Sequence, residues 1–268
     1  MAQVPRARRL ATPHRSTVPI GVRSAQVRES IPPLSLHAWL RFDAIGRLLP
    51  ADAQTMLEIG AGLGSAGALL SQGRAYVGLE PDEISFKTAV RRIGATGTVL
   101  NEAAETYKPP EPFDVVCAFE VLEHIEDDRG ALTEWRRHIR PGGWLLVSVP
   151  AGRRRFGPTD VKAGHYRRYD RDDLFALLSA GDLTGIEVIS YGFPLGYALE
   201  AARNLYARRT AAGTTLEART AESGRWLQPP EGAGHLLQAL SAPFRYLQRP
   251  FGGTRLGTGL VARARRTA

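Results

Sequence analysis

The stretch Thr55-Met56-Leu57-Glu58-Ile59-Gly60-Ala61-Gly62-Leu63-Gly64 constrains the fold more than any other part of the chain. An apolar run carrying one acid passes into three glycines spaced Gly-x-Gly-x-Gly, and small residues follow from Ser65 to Leu70. Glycine takes positive φ without a Cβ clash and lets a ligand approach the backbone. A strand that turns through such glycines into a helix belongs to a doubly wound α/β sheet, with the turn at the carboxyl edge where nucleotide-like ligands bind. A dinucleotide site asks for Gly-x-Gly-x-x-Gly. The tighter spacing here, with Glu58 two residues before the first glycine, points to an adenosyl ligand with a cationic head rather than to a pyrophosphate.

The rest of the chain follows the same alternation. Apolar residues recur from Leu34 to Leu49 and predict a helix closed by Pro50. Strands are predicted at Thr55–Ile59, Ala75–Glu80, Thr98–Asn101, Phe113–Phe119, Trp144–Val149 and Glu187–Tyr191. Helices are predicted between them at Gly64–Gln72, Asp82–Arg92, Arg129–Arg140 and Arg171–Ala180, with an irregular loop from Pro150 to Tyr169. Continuous apolar strands alternating with helices imply a parallel sheet covered on both faces. Residues 194–251 read as helix (Leu195–Arg209, His235–Leu247) with breaks near Gly213 and Pro229-Pro230, and Gly257–Arg265 reads as a last strand joining the main sheet. The expected organisation is a flexible basic tail (1–33), a core (34–193), a helical insertion or lid (194–251), and the final strand with a C-terminal tail (252–268).

Charge is distributed unevenly. The formal net charge is +8, yet residues 51–150 carry nine basic and fifteen acidic groups, so the basic excess lies in the tail and the C-terminal half. Such a face can attract nucleic acid, an anionic membrane or a phosphorylated or lipid-linked substrate, or be a solvated surface. No apolar run approaches the ~20 residues of a membrane span, and no apolar segment follows the basic N-terminus as a secretory signal requires. The single cysteine, Cys117, lies in an apolar strand and reads as a buried hydrophobe, so a cytoplasmic setting is expected.

Further motifs sit at successive strand ends. Glu80, in Gly78-Leu79-Glu80-Pro81-Asp82, stands about 20 residues past the glycine turn, where an acid accepts hydrogen bonds from ribose hydroxyls. Asn101-Glu102-Ala103-Ala104 follows strand three, where a polar side chain and a backbone amide can read an adenine edge. Strand four runs into Phe119-Glu120-Val121-Leu122-Glu123-His124. With Arg140-Pro141-Gly142-Gly143 and Gly164-His165-Tyr166-Arg167-Arg168-Tyr169, the order resembles the class I S-adenosylmethionine-dependent methyltransferases, in particular the group with Glu-Val-Leu-Glu-His after strand four that includes ubiquinone-biosynthesis O-methyltransferases. The resemblance covers roughly residues 36–192 and the final strand.

It implies a Rossmann-like, seven-stranded, mostly parallel sheet with helices on both faces and a helical insertion before the last strand. It also implies an enzyme whose cofactor is S-adenosyl-L-methionine. The implied cofactor residues are Glu58, Gly60, Ala61, Gly62 and Gly64 for the methionine part, and Glu80, Pro81 and Asp82 for the ribose. Glu102 and Ala103 would meet adenine, although the family more often has Asp where Glu102 stands, and Phe119 and Glu120 would lie beside the sulfonium. His124 and His165 are candidate bases for a hydroxyl acceptor, and Glu123, Arg154, Tyr166, Tyr169 and Tyr197 are candidate substrate contacts. Asn-Pro-Pro-Tyr, a loop cysteine nucleophile and zinc-ligand spacing are all absent. Asp127 and Asp128 read as helix N-terminal acids, so no metal is expected. The expected reaction is methyl transfer to a small-molecule hydroxyl in secondary or cell-envelope metabolism rather than to nucleic acid. A lipid-linked or nucleic-acid acceptor, or a non-catalytic cofactor-binding subunit, is the alternative.

Overall fold

The computed structural model describes residues 32–210, 215, 219–220, 228–230 and 232–267. Most of the expected basic tail lies outside the described residues, while its last two positions, Pro32 and Pro33, are buried. From Ile31 onward the chain forms one compact unit.

Seven strands form one sheet in the order β3-β2-β1-β4-β5-β7-β6. They are β1 (Thr55–Ile59), β2 (Ala75–Leu79), β3 (Thr98–Leu100), β4 (Phe113–Phe119), β5 (Ile139–Pro150), β6 (Leu183–Tyr191) and β7 (Gly259–Arg266). Strand β7 is antiparallel to both β5 and β6, while the pairings among β1 to β5 are parallel. Eight helices are described: α1 (Leu36–Leu48), α2 (Gly67–Leu70), α3 (Glu83–Ile93), α4 (Asp128–Arg137), α5 (Pro158–Ala163), α6 (Arg171–Ala180), α7 (Leu195–Arg209) and α8 (Gly234–Leu247).

Successive residues of a strand point to opposite faces, and β4 shows why this sheet is double-covered. Val115 and Cys117 pack with Leu40, Ile45 and Leu48 of α1, Leu70 of α2 and Ile93 of α3. Val116 and Ala118 pack with Leu132 and Trp135 of α4 and Leu174 and Leu178 of α6. Both layers need apolar strand residues, which is why the central strands read as continuous hydrophobic runs.

Three expectations change. Helix α4 stops at Arg137, and Pro141-Gly142-Gly143 lies inside β5 rather than in a turn before it. Pairing passes from Phe113↔Ile139 directly to Val115↔Trp144, so the extra residues bulge, and Gly142 supplies the positive φ that a bulge needs. Helix α2 is a single turn beginning at Gly67, because the glycine turn extends further than the small residues suggested. The segment 150–169, expected to be irregular, holds a 3-10 turn at Arg153–Arg155 and α5, which opens on Pro158 and closes on left-handed Gly164.

Candidate functional site

A cavity of about 1180 Å³ opens at the carboxyl edge of β1, β2 and β4. A pocket for one small ligand usually has about 300–1,000 Å³, so this one has room for two. The glycine turn forms one wall. Gly60, Gly62 and Gly64 all have positive φ, but their surroundings differ. A Cβ on Gly60 would lie 2.6 Å from Val121 Cγ2, and one on Gly64 would lie 2.7 Å from the Ala89 backbone. A Cβ on Gly62 would meet nothing within 4 Å. Gly60 and Gly64 therefore serve packing, while Gly62 keeps an open surface on the cavity.

The acids beside this turn are held by backbone amides. Glu80 Oε2 accepts from Gly62 N–H at 2.7 Å and Glu80 Oε1 from Asp82 N–H at 2.9 Å. Asp82 caps α3 by accepting from Ser85 N–H. Asn101 donates to the carbonyls of Glu80 and Pro81 and so fixes the end of β2. Glu58 is only 2% exposed and accepts from Tyr76 Oη. Burial pushes its carboxyl up to about 7, against the opposing effects of the Tyr76 hydrogen bond and the Arg41 charge.

At the tip of β4, Phe119, Glu120 and Val121 line the cavity. Glu120 adopts φ 56° without being glycine, a conformation that only surrounding contacts hold. Those contacts are Ser148 Oγ at 3.1 Å, Tyr191 Oη at 3.3 Å and Arg41 Nη1 at 3.5 Å, all on Oε1.

Two histidines face each other on the same side. The rings of His124 and His165 meet edge to face with centroids 4.6 Å apart. His165 Nδ1 lies 2.8 Å from Asp160 Oδ1, and Asp160 also accepts from Arg168 Nε at 2.8 Å and Gly157 N–H at 2.8 Å. Burial disfavours the Asp160 charge, but the hydrogen bonds from His165 and Arg168 outweigh it and hold the carboxyl down at about 2. The carboxylate therefore accepts and His165 Nδ1–H donates, while His165 Nε2 lies 4.0 Å from Glu123 Oε1. Burial, and next the neighbouring His165, push His124 down to about 3, so it is neutral near pH 7. Glu123 is fully buried, both its carboxyl oxygens lack a hydrogen-bond partner, and so does His124 Nδ1. Donor atoms of Glu123, His124 and His165 all lie within 4.8 Å of one another, a set able to hold a metal ion although none was expected from sequence.

The cavity brings together most of the predicted site residues: Glu58, Gly60, Ala61, Gly62, Glu80, Pro81, Asp82, Phe119, Glu120, His124, His165 and Tyr166. Others lie elsewhere. Gly64 packs on Ala89, and Glu102 and Ala103 are not part of the lining. The Ala103 carbonyl is instead taken by the turn that receives Thr106 N–H and Tyr107 N–H. Tyr169 is buried with its hydroxyl donating to Asp128 Oδ2, which anchors the loop. Tyr197 stacks beneath Arg155 at 4.7 Å and borders a second, smaller cavity, and Arg154 is exposed on its 3-10 turn. Arg153, Arg155, Arg167 and Arg168 all pair with acids.

Four residues were missed by sequence reading. His37 and Arg41 enter from α1, Arg203 from α7, and Asp160 orients His165 from α5. Only Asp160, five residues before a candidate histidine, offered a local signal.

Residues 37–191, more than half of the chain, match the family described as "Methyltransferase domain". The chain is a class I S-adenosylmethionine-dependent methyltransferase. A Mycobacterium tuberculosis protein, named a probable S-adenosylmethionine-dependent methyltransferase, is 29% identical over 87% of this chain and 85% of its own length. A ubiquinone biosynthesis O-methyltransferase of Thiobacillus denitrificans is 30% identical over 41% of this chain and 50% of its own length. A crystal structure of an S-adenosylmethionine-dependent methyltransferase of Thermotoga maritima covers 86% of this chain and 90% of that one, with TM-score 0.55 at 19% identity, a likeness of fold. The methyltransferase is thus an enzyme whose cofactor is S-adenosylmethionine. Among its described residues no helix is long and apolar enough to cross a membrane.

Proposed function

We propose that this methyltransferase methylates a hydroxyl group of a small-molecule acceptor, with His165 as the base. The observation that carries the reading is the Asp160–His165 pair, with Nδ1 held at 2.8 Å so that Nε2 is the nitrogen available for the proposed proton transfer. The donor set fits the cofactor. Gly62 leaves the turn open, Glu80 keeps carboxylate lone pairs beside it for the ribose hydroxyls, and Pro81 and Asp82 border the same subsite. Glu58 and Arg41 offer opposite charges for the ammonium and carboxylate of the methionine part, with Gly60, Ala61, Phe119 and Glu120 around them.

When bound, the cofactor supplies a methyl group already activated on a sulfonium. The protein's part is alignment and proton removal. His165 Nε2 would take the hydroxyl proton, and the ionised Asp160 would stabilise the imidazolium that results. Neutral His124 packs on the His165 ring and limits its rotation. Helices α7 and α8, with Pro229 and Pro230, line the acceptor end and serve as a lid that excludes water. Phenolic and alcoholic acceptors should therefore be methylated with a rate that depends on His165, and His165→Ala should lower kcat about 10²- to 10⁴-fold with little change in cofactor affinity. Unchanged kcat would remove the base role.

A second reading is favoured by the orphaned carboxylate of Glu123: a divalent cation held by Glu123, His124 and His165 that binds the acceptor oxygen and lowers its pKa. Activity lost with a chelator and restored by magnesium or zinc would select this reading. Activity indifferent to the chelator would select the histidine base.

A further inference from the structure

The cavity wall from α7 contains a cation that has no ion pair among the described residues. Arg203 projects into the cavity from α7. Its Nε has no hydrogen-bond partner, and no ion pair involves its guanidinium among the described residues. Burial pulls it below the ordinary arginine range, partly offset by the charge of Glu120. The carboxylates within its electrostatic reach are already engaged. Glu200 Oε2 accepts from Arg168 at 3.0 Å and Arg155 at 3.2 Å, and Glu120 is held by Arg41, Ser148 and Tyr191. The remaining neighbours add positive charge: Arg203 and Arg41 both depress the buried His37 after burial itself. An arginine stays protonated at any ordinary pH, and Arg203 is half-buried with its Nε shielded and unpaired, so an anion that reaches it gains a charge-assisted hydrogen bond. The wall beside it is apolar, formed by Leu199, Leu236 and Leu237.

We infer that Arg203 is a specificity-determining residue that pairs with an acidic group on the methyl acceptor, so the substrate class is an anionic, partly apolar molecule. This rests on the proposed methyl transfer, because the same cavity must hold cofactor and acceptor together. Glu58, Glu80 and Asp82 border the proposed cofactor subsite, whereas Arg203 lines the part of the cavity that α7 forms. The guanidinium fork suits a carboxylate or phosphate, which it can meet with two parallel hydrogen bonds.

The test compares octanoate with octanol by titration calorimetry, on the full chain with and without S-adenosylhomocysteine. Octanoate is expected to bind the wild type about tenfold or more tightly than octanol, Arg203→Met to abolish that preference, and Arg203→Lys to keep part of it. Arg203→Met should also leave the affinity for S-adenosylmethionine unchanged and should not lower the melting temperature. Equal binding of the two probes, or binding of neither, overturns the proposal. So does weaker S-adenosylmethionine binding by Arg203→Met, which would give Arg203 to the cofactor's own carboxylate, or a marked fall in melting temperature, which would make it structural. Failure of the wild type to bind S-adenosylmethionine would instead overturn the proposed cofactor site, while the probe comparison without S-adenosylhomocysteine would still decide the role of Arg203.

Discussion

Glu58 shows at the residue scale how burial turns a strand-end acid into a sensor of its ligand. Its carboxyl titrates at about 7 in the folded protein against 4.5 for the ordinary group, mainly because of burial. The folded value is the raised one, so this group's contribution to stability is fully present below 4.5 and is lost as pH rises through 7. From about pH 5 to 8 the cofactor-free protein should lose up to about 3 kcal/mol that Glu58→Gln does not lose. Urea unfolding of both proteins across that range measures the difference, and parallel profiles would refute it. The proposed contact with the cofactor ammonium favours the ionised carboxylate, so S-adenosylmethionine binding near pH 6.5 should release a proton. Titration in buffers of different ionisation enthalpy reads that proton directly. Glu80 has a different part: its two oxygens are fixed by Gly62 and Asp82 amides before any ligand arrives. Removing it in Glu80→Ala should weaken cofactor binding about 10- to 100-fold, the cost of about one to two hydrogen bonds to a charged group. An unchanged dissociation constant would take the ribose role from Glu80.

Among elements, the glycine turn divides into parts with different duties. Gly64→Ala forces a Cβ to within 2.7 Å of the α3 backbone at Ala89, and backbone cannot move aside. It should destabilise the fold by about 1–3 kcal/mol. Gly62→Ala meets open space and carries only the left-handed backbone penalty of about 1–2 kcal/mol. Its main effect should be on cofactor affinity, because the methyl group would stand in the cavity. Thermal unfolding and cofactor titration of the two variants separate these effects, and equal melting-temperature losses would refute the division. The turn, β1, β4 and Glu80 were legible in the sequence because each signal lies within one strand and the loop that follows it. The segment 150–169 was only partly legible. His165 and Tyr166 were singled out and line the cavity, but Tyr169 beside them is an anchor and Asp160 was not singled out. A helix of six residues opening on proline carries too little periodicity to be read from sequence, and its functional acid is identifiable only by what it holds.

At the scale of the whole molecule, Gln248 joins parts of the chain that sequence does not link. Its side-chain amide donates to the Leu40 carbonyl and to Asp43 Oδ2, and its oxygen accepts from Gly192 N–H, all at 2% exposure. This ties the end of α8 to α1 and to the turn after β6, so the cavity walls from α1 and α8 are held together. Gln248→Ala leaves the buried Gly192 amide unpaired and should cost about 1–3 kcal/mol. Chemical denaturation measures that loss, and a change below about 0.5 kcal/mol would mean that water replaces the amide. His37 and Thr258 make a similar link, 2.9 Å across 221 residues of sequence. By itself the sequence determined the order of the strands and of the helices other than α5, the glycine turn, and the acids at the ends of β1 and β2, because alternation and strand-end chemistry are local patterns. The tertiary structure alone decided which residues share the cavity. Arg41, Asp160 and Arg203 lie on three helices outside the strand-end motifs, and only folding sets them beside Glu120 and His165, where the loss of water makes each unpaired charge and each hydrogen bond count.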